Sequence, residues 1–109
     1  MITAKFQMEG SPLTVTSADV FTGAHTFQQA YGYAVQAVWT GAAITGTIKL
    51  QATIDGTNWS DIAGTSNAVS GPGSFLWNVN GAFYDQYRVY FVYTSGSGTI
   101  TVLSETKGP

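Results

Sequence analysis

Asp55 and Asp61, on either side of an Asp55-Gly56 turn, are the first residues whose types and spacing suggest chemistry. Glycoside hydrolysis needs two carboxyls flanking a cleft, one with its pKa raised by its surroundings. Asp55, however, is the residue a type I′ turn prefers, and Asp61 suits the solvent side of a short strand. Turn chemistry accounts for both. With Asn58 they also offer oxygens to calcium, which takes about six to eight such ligands. The spacing departs from the EF-hand loop and no closing glutamate follows, so no metal site is assigned. His25 is the only histidine, too few for zinc, and no Gly-x-Ser-x-Gly elbow supports a Ser–His–Asp triad. It is expected at the surface. The absence of cysteine excludes disulfides, thiol catalysis and thiolate metal sites. Gly71-Pro72-Gly73 and Gly96-Ser97-Gly98 lack the lysine and the following helix of a phosphate loop and read as turns. No catalytic residue, cofactor or metal is expected, and the chain is not expected to be an enzyme.

The elements around these residues read as strands. Alternation and turn chemistry place them at 2–8, 13–16, 31–40, 45–54, 58–62, 74–79, 86–94 and 99–105. In the fourth, Ile48, Leu50, Ala52 and Ile54 share one face, and Lys49, Gln51 and Thr53 the other. Asp55-Gly56 supplies the tight hairpin turn that follows, with Trp59 placed to pack over it. In 86–94, Tyr87, Val89, Phe91 and Tyr93 oppose Arg88, Tyr90, Val92 and Thr94, so both faces carry bulk. Residues 17–30 show no sustained period and read as irregular structure or a short strand. The expected fold is all-β, an antiparallel, jelly-roll-like β-sandwich of about eight strands. Residues 1–109 form one domain. The first 30 residues supply either an edge strand of that sandwich or an extended arm pairing with another subunit.

Composition narrows the partners. A chain of 109 residues can bury roughly two thirds of its unfolded surface, enough for one core. Only 9% of it is charged, against about 25% in an ordinary domain, so its polar surface is Thr, Ser, Asn, Gln and Gly. Such a surface suits packing against protein or sugar. Lys5, Lys49, Arg88 and Lys107 are scattered and the net charge is −2, which argues against nucleic acid. No apolar run nears the ~20 residues of a membrane helix. MITAKFQMEG has no signal-peptide pattern, so synthesis in a cytosol without export is expected, and the sequon Asn58-Trp59-Ser60 is read as chance.

The aromatics carry the remaining signal. Phe75, Trp77 and Val79 share a face, which assigns Trp77 to the core. Tyr84, beside a turn, and Tyr90, opposite Phe91, are the candidate exposed rings for an interface or a ligand.

The segments AVQAVWTG (34–41), GTIKLQATIDGTNWSDI (46–62), AVSGPGSFLWNV (68–79), Tyr87-Arg88-Val89 and TSGSGTITV (94–102) resemble small β-sandwich proteins in the particles of tailed bacteriophages. That resemblance implies a head decoration or cement protein, or an accessory module of necks and fibres, with no catalytic residues to carry over. It implies a virion protein made in the host bacterial cytoplasm, a homo-oligomer whose partner is the major capsid protein or another virion component. An Asp-Gly-x-Asn-Trp turn also occurs in discoidin-like and other carbohydrate-binding sandwiches. The alternative reading is therefore a carbohydrate-binding or receptor-attachment module of a tail or head fibre.

Overall fold

The computed structural model describes residues 2–8, 11–26, 32–80 and 86–108. In chain order its strands are β1 (Ile2–Gln7), β2 (Leu13–Val15), β3 (Val20–Phe21), β4 (His25–Thr26), β5 (Gly32–Thr40) and β6 (Thr45–Thr53). There follow β7 (Ser60–Asp61), β8 (Asn67–Ser70), β9 (Gly73–Asn80), β10 (Gln86–Ser95) and β11 (Gly98–Gly108). All described pairings are antiparallel. One sheet runs β1-β11-β5-β9, with β2 beside β1 on the same side of β11. The other runs β3-β10-β6-β7, with β4 continuing the β3 row and β8 the β7 row.

Counting each interrupted row once leaves eight strand positions, four to a sheet. After the first row the chain crosses repeatedly between sheets, and no described β5, β6, β9, β10 or β11 pairs with its successor except β6 with β7. That is the weave of a jelly roll. Thr22 bridges the β3/β4 gap, because its backbone N–H bonds Val89 O at 2.9 Å while Val89 N bonds its hydroxyl at 3.0 Å. Residues 2–7 pair with β11 of their own sheet, as an edge strand does.

The core lies between the sheets and follows the period-two pattern. Val35, Ala37, Ile100 and Val102 face Ile48, Leu50, Val89 and Phe91, all with no exposed surface. The Tyr33 and Tyr87 rings stack at 4.0 Å, and Tyr87 hydrogen-bonds Ser104 of the opposite sheet. The two buried indoles each hold a loop. Trp39 Nε1 donates to Gly71 O at 2.9 Å and Trp77 Nε1 to Thr65 O at 2.7 Å. No buried side-chain polar atom lacks a partner among the described residues.

The structure departs from the sequence pattern at several places. Ile54 is 77% exposed and Thr53 is buried, because β6 ends at Thr53. The Thr53 hydroxyl donates to Asp55 Oδ1 at 3.0 Å, and Ile54 lies beyond the strand end on the solvent side. The turn beyond is wider than a two-residue hairpin, since Ala52 pairs with Ser60 across the intervening loop. Gly56 alone supplies a positive φ there, of 81°. Phe75 is 37% exposed although it shares the inward face with Trp77, because β9 is an edge strand and its ring sits at the rim. Finally, β8 is an additional strand of four residues, while β3 and β4 are the short-strand alternative within 17–30.

Candidate functional site

The outer face of the β3-β10-β6-β7 sheet brings together Lys49, Arg88 and the partly exposed rings of Phe21, Trp59 and Tyr90. Alternation along β10 turns Arg88 and Tyr90 outward, and the register sets them beside Gln51 and Lys49 of β6. On the other side Phe21 of β3 lies opposite Tyr90, and Asp61 of β7 lies opposite Gln51. Phe21 and Tyr90 stack with centroids 5.6 Å apart and planes 3° from parallel. The Arg88 guanidinium lies 4.4 Å from the Phe21 centroid and 4.2 Å from that of Trp59. Its Nε donates to Gln51 Oε1 at 2.9 Å. Stacking on rings suits guanidinium, a planar and weakly hydrated cation.

Acids tie down the margins. Asp61 accepts from Lys49 Nζ at 2.8 Å and from Gln51 Nε2 at 3.0 Å. These bonds hold its carboxyl below the usual range. Asp19 accepts from Tyr93 N at 2.7 Å and from the Tyr90 hydroxyl at 3.0 Å. That hydrogen bond to a carboxylate raises the Tyr90 pKa. Burial lowers that of Arg88, yet a guanidinium remains charged at any physiological pH. The result is a cross-braced plate of rings and charges. It can stack and hydrogen-bond a ligand or a partner surface, but offers no group poised to move a proton.

The carboxylate pair does not form a site. Asp55 Oδ1 accepts from Thr57 N and Asn58 N, both at 2.8 Å, and from Thr53 Oγ1 at 3.0 Å, while Oδ2 accepts from Asn58 Nδ2 at 2.7 Å. These donors, led by Asn58, hold the Asp55 pKa well below the carboxylate range. The open hollow at this turn is lined by Ala52, Thr53, Ile54, Asp55 and Ser60, so it contains a single carboxyl. No group of three or more metal-binding side chains occurs among the described residues.

The Asp55 cap sets an expected pH dependence. A carboxyl whose folded pKa lies below its unfolded value of about 3.9 stabilises the fold above that value. That stability is lost as pH falls through the folded pKa. Asp55→Asn is therefore expected to be less stable than the parent at pH 7, with the gap closing below about pH 4. Urea melts from pH 7 to pH 2 check this, and a gap that stays constant with pH would refute the cap.

Of the two rings singled out in the sequence, Tyr90 is half-buried in this plate, with Phe21 rather than solvent over its ring. Tyr84 lies outside the described residues, as does the expected exposure of the His25 side chain. Arg88 and Gln51 are readable as outward neighbours of Tyr90 once the β6–β10 pairing is recognised. Phe21 and Asp19 are not, because they come from the segment without a period. The face of the opposite sheet is plainer. Val38 is 44% and Leu76 62% exposed there, and Glu105 is the one charge at the described outward positions of β5, β9 and β11.

No protein-family model matches the sequence, and no curated protein is similar to it. Several solved structures share the fold. The SPBc2 prophage-derived protein YomS superposes with a TM-score of 0.58 at 12% identity, covering 95% of this chain and 93% of that one. The C-terminal CBM6 of LamC, a marine laminarinase from Zobellia galactanivorans, gives 0.53 at 15% identity over 97% of this chain and 100% of its own. The N-terminal cellulose-binding domain of Cellulomonas fimi β-1,4-glucanase C gives 0.52 at 12% identity, over 100% and 81%. At these identities the likeness is one of architecture, and the chain is an antiparallel β-sandwich.

Proposed function

We propose that this protein is a non-enzymatic structural component of a bacteriophage particle, a decoration or cement protein that binds the capsid shell. The observation that carries the reading is the outer face of the β1-β11-β5-β9 sheet. Among its described outward positions in β5, β9 and β11 only Glu105 is charged, and Val38 and Leu76 stand exposed there. A surface of that kind loses little on leaving water against another protein, whereas charged surfaces keep monomers apart. The resemblance of five sequence segments to phage particle proteins supports the same reading, and the shared fold with a prophage-derived protein accords with it. Bound across neighbouring capsid subunits, the protein stabilises the assembled state because it binds that state alone. It is expected to co-purify with intact particles at a fixed high copy number, and stripping it is expected to lower their melting temperature. Its absence from purified particles overturns the proposal.

A second reading rests on the Phe21–Tyr90 stack, an aromatic surface of the sort sugars pack against, on a fold shared with carbohydrate-binding modules. Against it, Trp39 and Trp77 are buried and Trp59 is occupied by Arg88. Glycan-array binding abolished by Phe21→Ala would establish this reading in place of the capsid one, and an array without hits removes it.

A further inference from the structure

Strand β9 is an open sheet edge without the usual protection. It pairs with β5 over all eight residues in one unbroken register, and no described strand pairs with its other side. Open edges present unpaired N–H and C=O groups, and proteins blunt them with charge, proline, bulges or brevity. The described edges elsewhere are blunted. The opposite sheet ends in pieces of two to four residues, with the Asp61–Lys49 ion pair on one of them. The β1 edge carries Lys5 in its sequence. By contrast GSFLWNVN has no charge, no proline and no bulge.

We propose that β9 pairs antiparallel with β9 of a second copy, about a two-fold axis at Leu76, joining two sheets into one. The pleat restricts the possible registers. Inward residues must meet inward ones, so the paired residue numbers must sum to an even value. Centring on Leu76 sets Leu76 opposite its own counterpart. It sets Phe75 opposite the second copy's Trp77, and Ser74 opposite its Asn78. In these central pairs like meets like, apolar with apolar, aromatic with aromatic and hydrogen-bonding with hydrogen-bonding, while at the ends Gly73 falls opposite Val79.

The rim of the sandwich is shaped for this addition. An open groove of about 440 Å³ runs between residues Ile62 to Thr65 and Phe75 to Val79. In the paired arrangement the second copy's Phe75 enters it beside Trp77, and the exposed Phe75 ring gains cover. Charge also selects a second copy over a charged partner strand. The edge offers nothing to complement a foreign charge, and nothing in it repels its own image. A two-fold interface of this kind is self-complementary and closed, so it ends at the dimer. The proposal goes beyond the capsid reading and stands or falls on the free protein.

The purified chain is expected to sediment as a dimer in analytical ultracentrifugation. Leu76→Lys sets two like charges opposite each other on the axis and is expected to weaken dimerisation at least tenfold. Leu76 is 62% exposed, so its replacement leaves the core intact, as a melting curve verifies. Val38→Lys, on the same outer face but one strand inward, is expected to leave the dimer unchanged. Paired residues on the axis bring their Cα atoms to about 4.5–5.5 Å, within disulfide range. With no native cysteine, Leu76→Cys is expected to cross-link into a covalent dimer on mild oxidation, and Val38→Cys to remain uncoupled. A monomer at all concentrations overturns the proposal. So does a dimer lost in Val38→Lys but kept in Leu76→Lys, which would mean that the sheets meet face to face.

Discussion

Phe91→Ala is expected to cost about 3–5 kcal/mol of folding free energy, the range for truncating a fully buried phenylalanine. Phe91 has no exposed surface, and its ring occupies the space over Gly46. A Cβ built at Gly46 would meet that ring at 2.5 Å, so the glycine is the hollow into which the phenylalanine fits. Alanine leaves a void between the two sheets at the middle of the β6–β10 pairing. The backbone there is paired on both sides of β10, so little collapse can fill the void. A domain of this size has about 5–15 kcal/mol in all, and the expected fall in Tm exceeds roughly 10 °C. Urea unfolding followed by tryptophan fluorescence reads the loss directly. Phe91→Leu, which retains most of the volume, is expected to lose clearly less. Equal losses in the two variants would mean that the void does not set the cost.

Gly96→Ala is expected to cost a further large sum, roughly 2–4 kcal/mol, from two sources that can be separated. Gly96 has φ of 80°, a conformation that alanine adopts at a penalty. Its missing Cβ would also fall 1.9 Å from Ala43 O, where the turn after β10 lies against the turn after β5. The obstacle is backbone, so it cannot swing aside as a side chain would. Gly64 has nearly the same φ, 78°, and nothing within 4 Å of its virtual Cβ. Gly64→Ala therefore pays the conformational penalty alone, on the order of 1 kcal/mol. The excess in Gly96→Ala over Gly64→Ala measures the contact between the two turns. If the two variants lose equally, the turns are free to separate.

The legible parts of this fold are the long central strands. Strands β5, β6, β10 and β11 show their period of two because each buries one face against the core, and Tyr87, Val89 and Phe91 fall where alternation puts them. The two-residue strands β3 and β4 leave 17–30 open between irregular structure and a short strand, since two residues cannot display a period. Their pairing is set by β10, whose residues lie about sixty to seventy positions further on. The exposure of Phe75 was hidden for a related reason, because alternation reports the face of a residue and not whether its strand ends the sheet. Ile54 was misplaced because the Thr53 hydroxyl and the Asp55 carboxylate end the strand through side-chain bonds that hydropathy does not record. The candidate site was half legible. Tyr90 follows from β10 alone, whereas its stacking partner Phe21 depends on a contact between distant segments.

The position of β11 has a consequence in time. This strand lies between β5 on one side and β1 with β2 on the other, so residues 98–108 hold together segments that all lie within residues 2–40. During synthesis, β1 and β2 leave the ribosome with no neighbour to join until β11 follows, and β5 has only β9 to pair with before then. Loop closure over such distances is slow, and β-sandwiches of this connectivity belong to the millisecond-to-second folders. The sheet that exposes Val38 and Leu76 is thus completed last, after every described strand of the opposite sheet has been made.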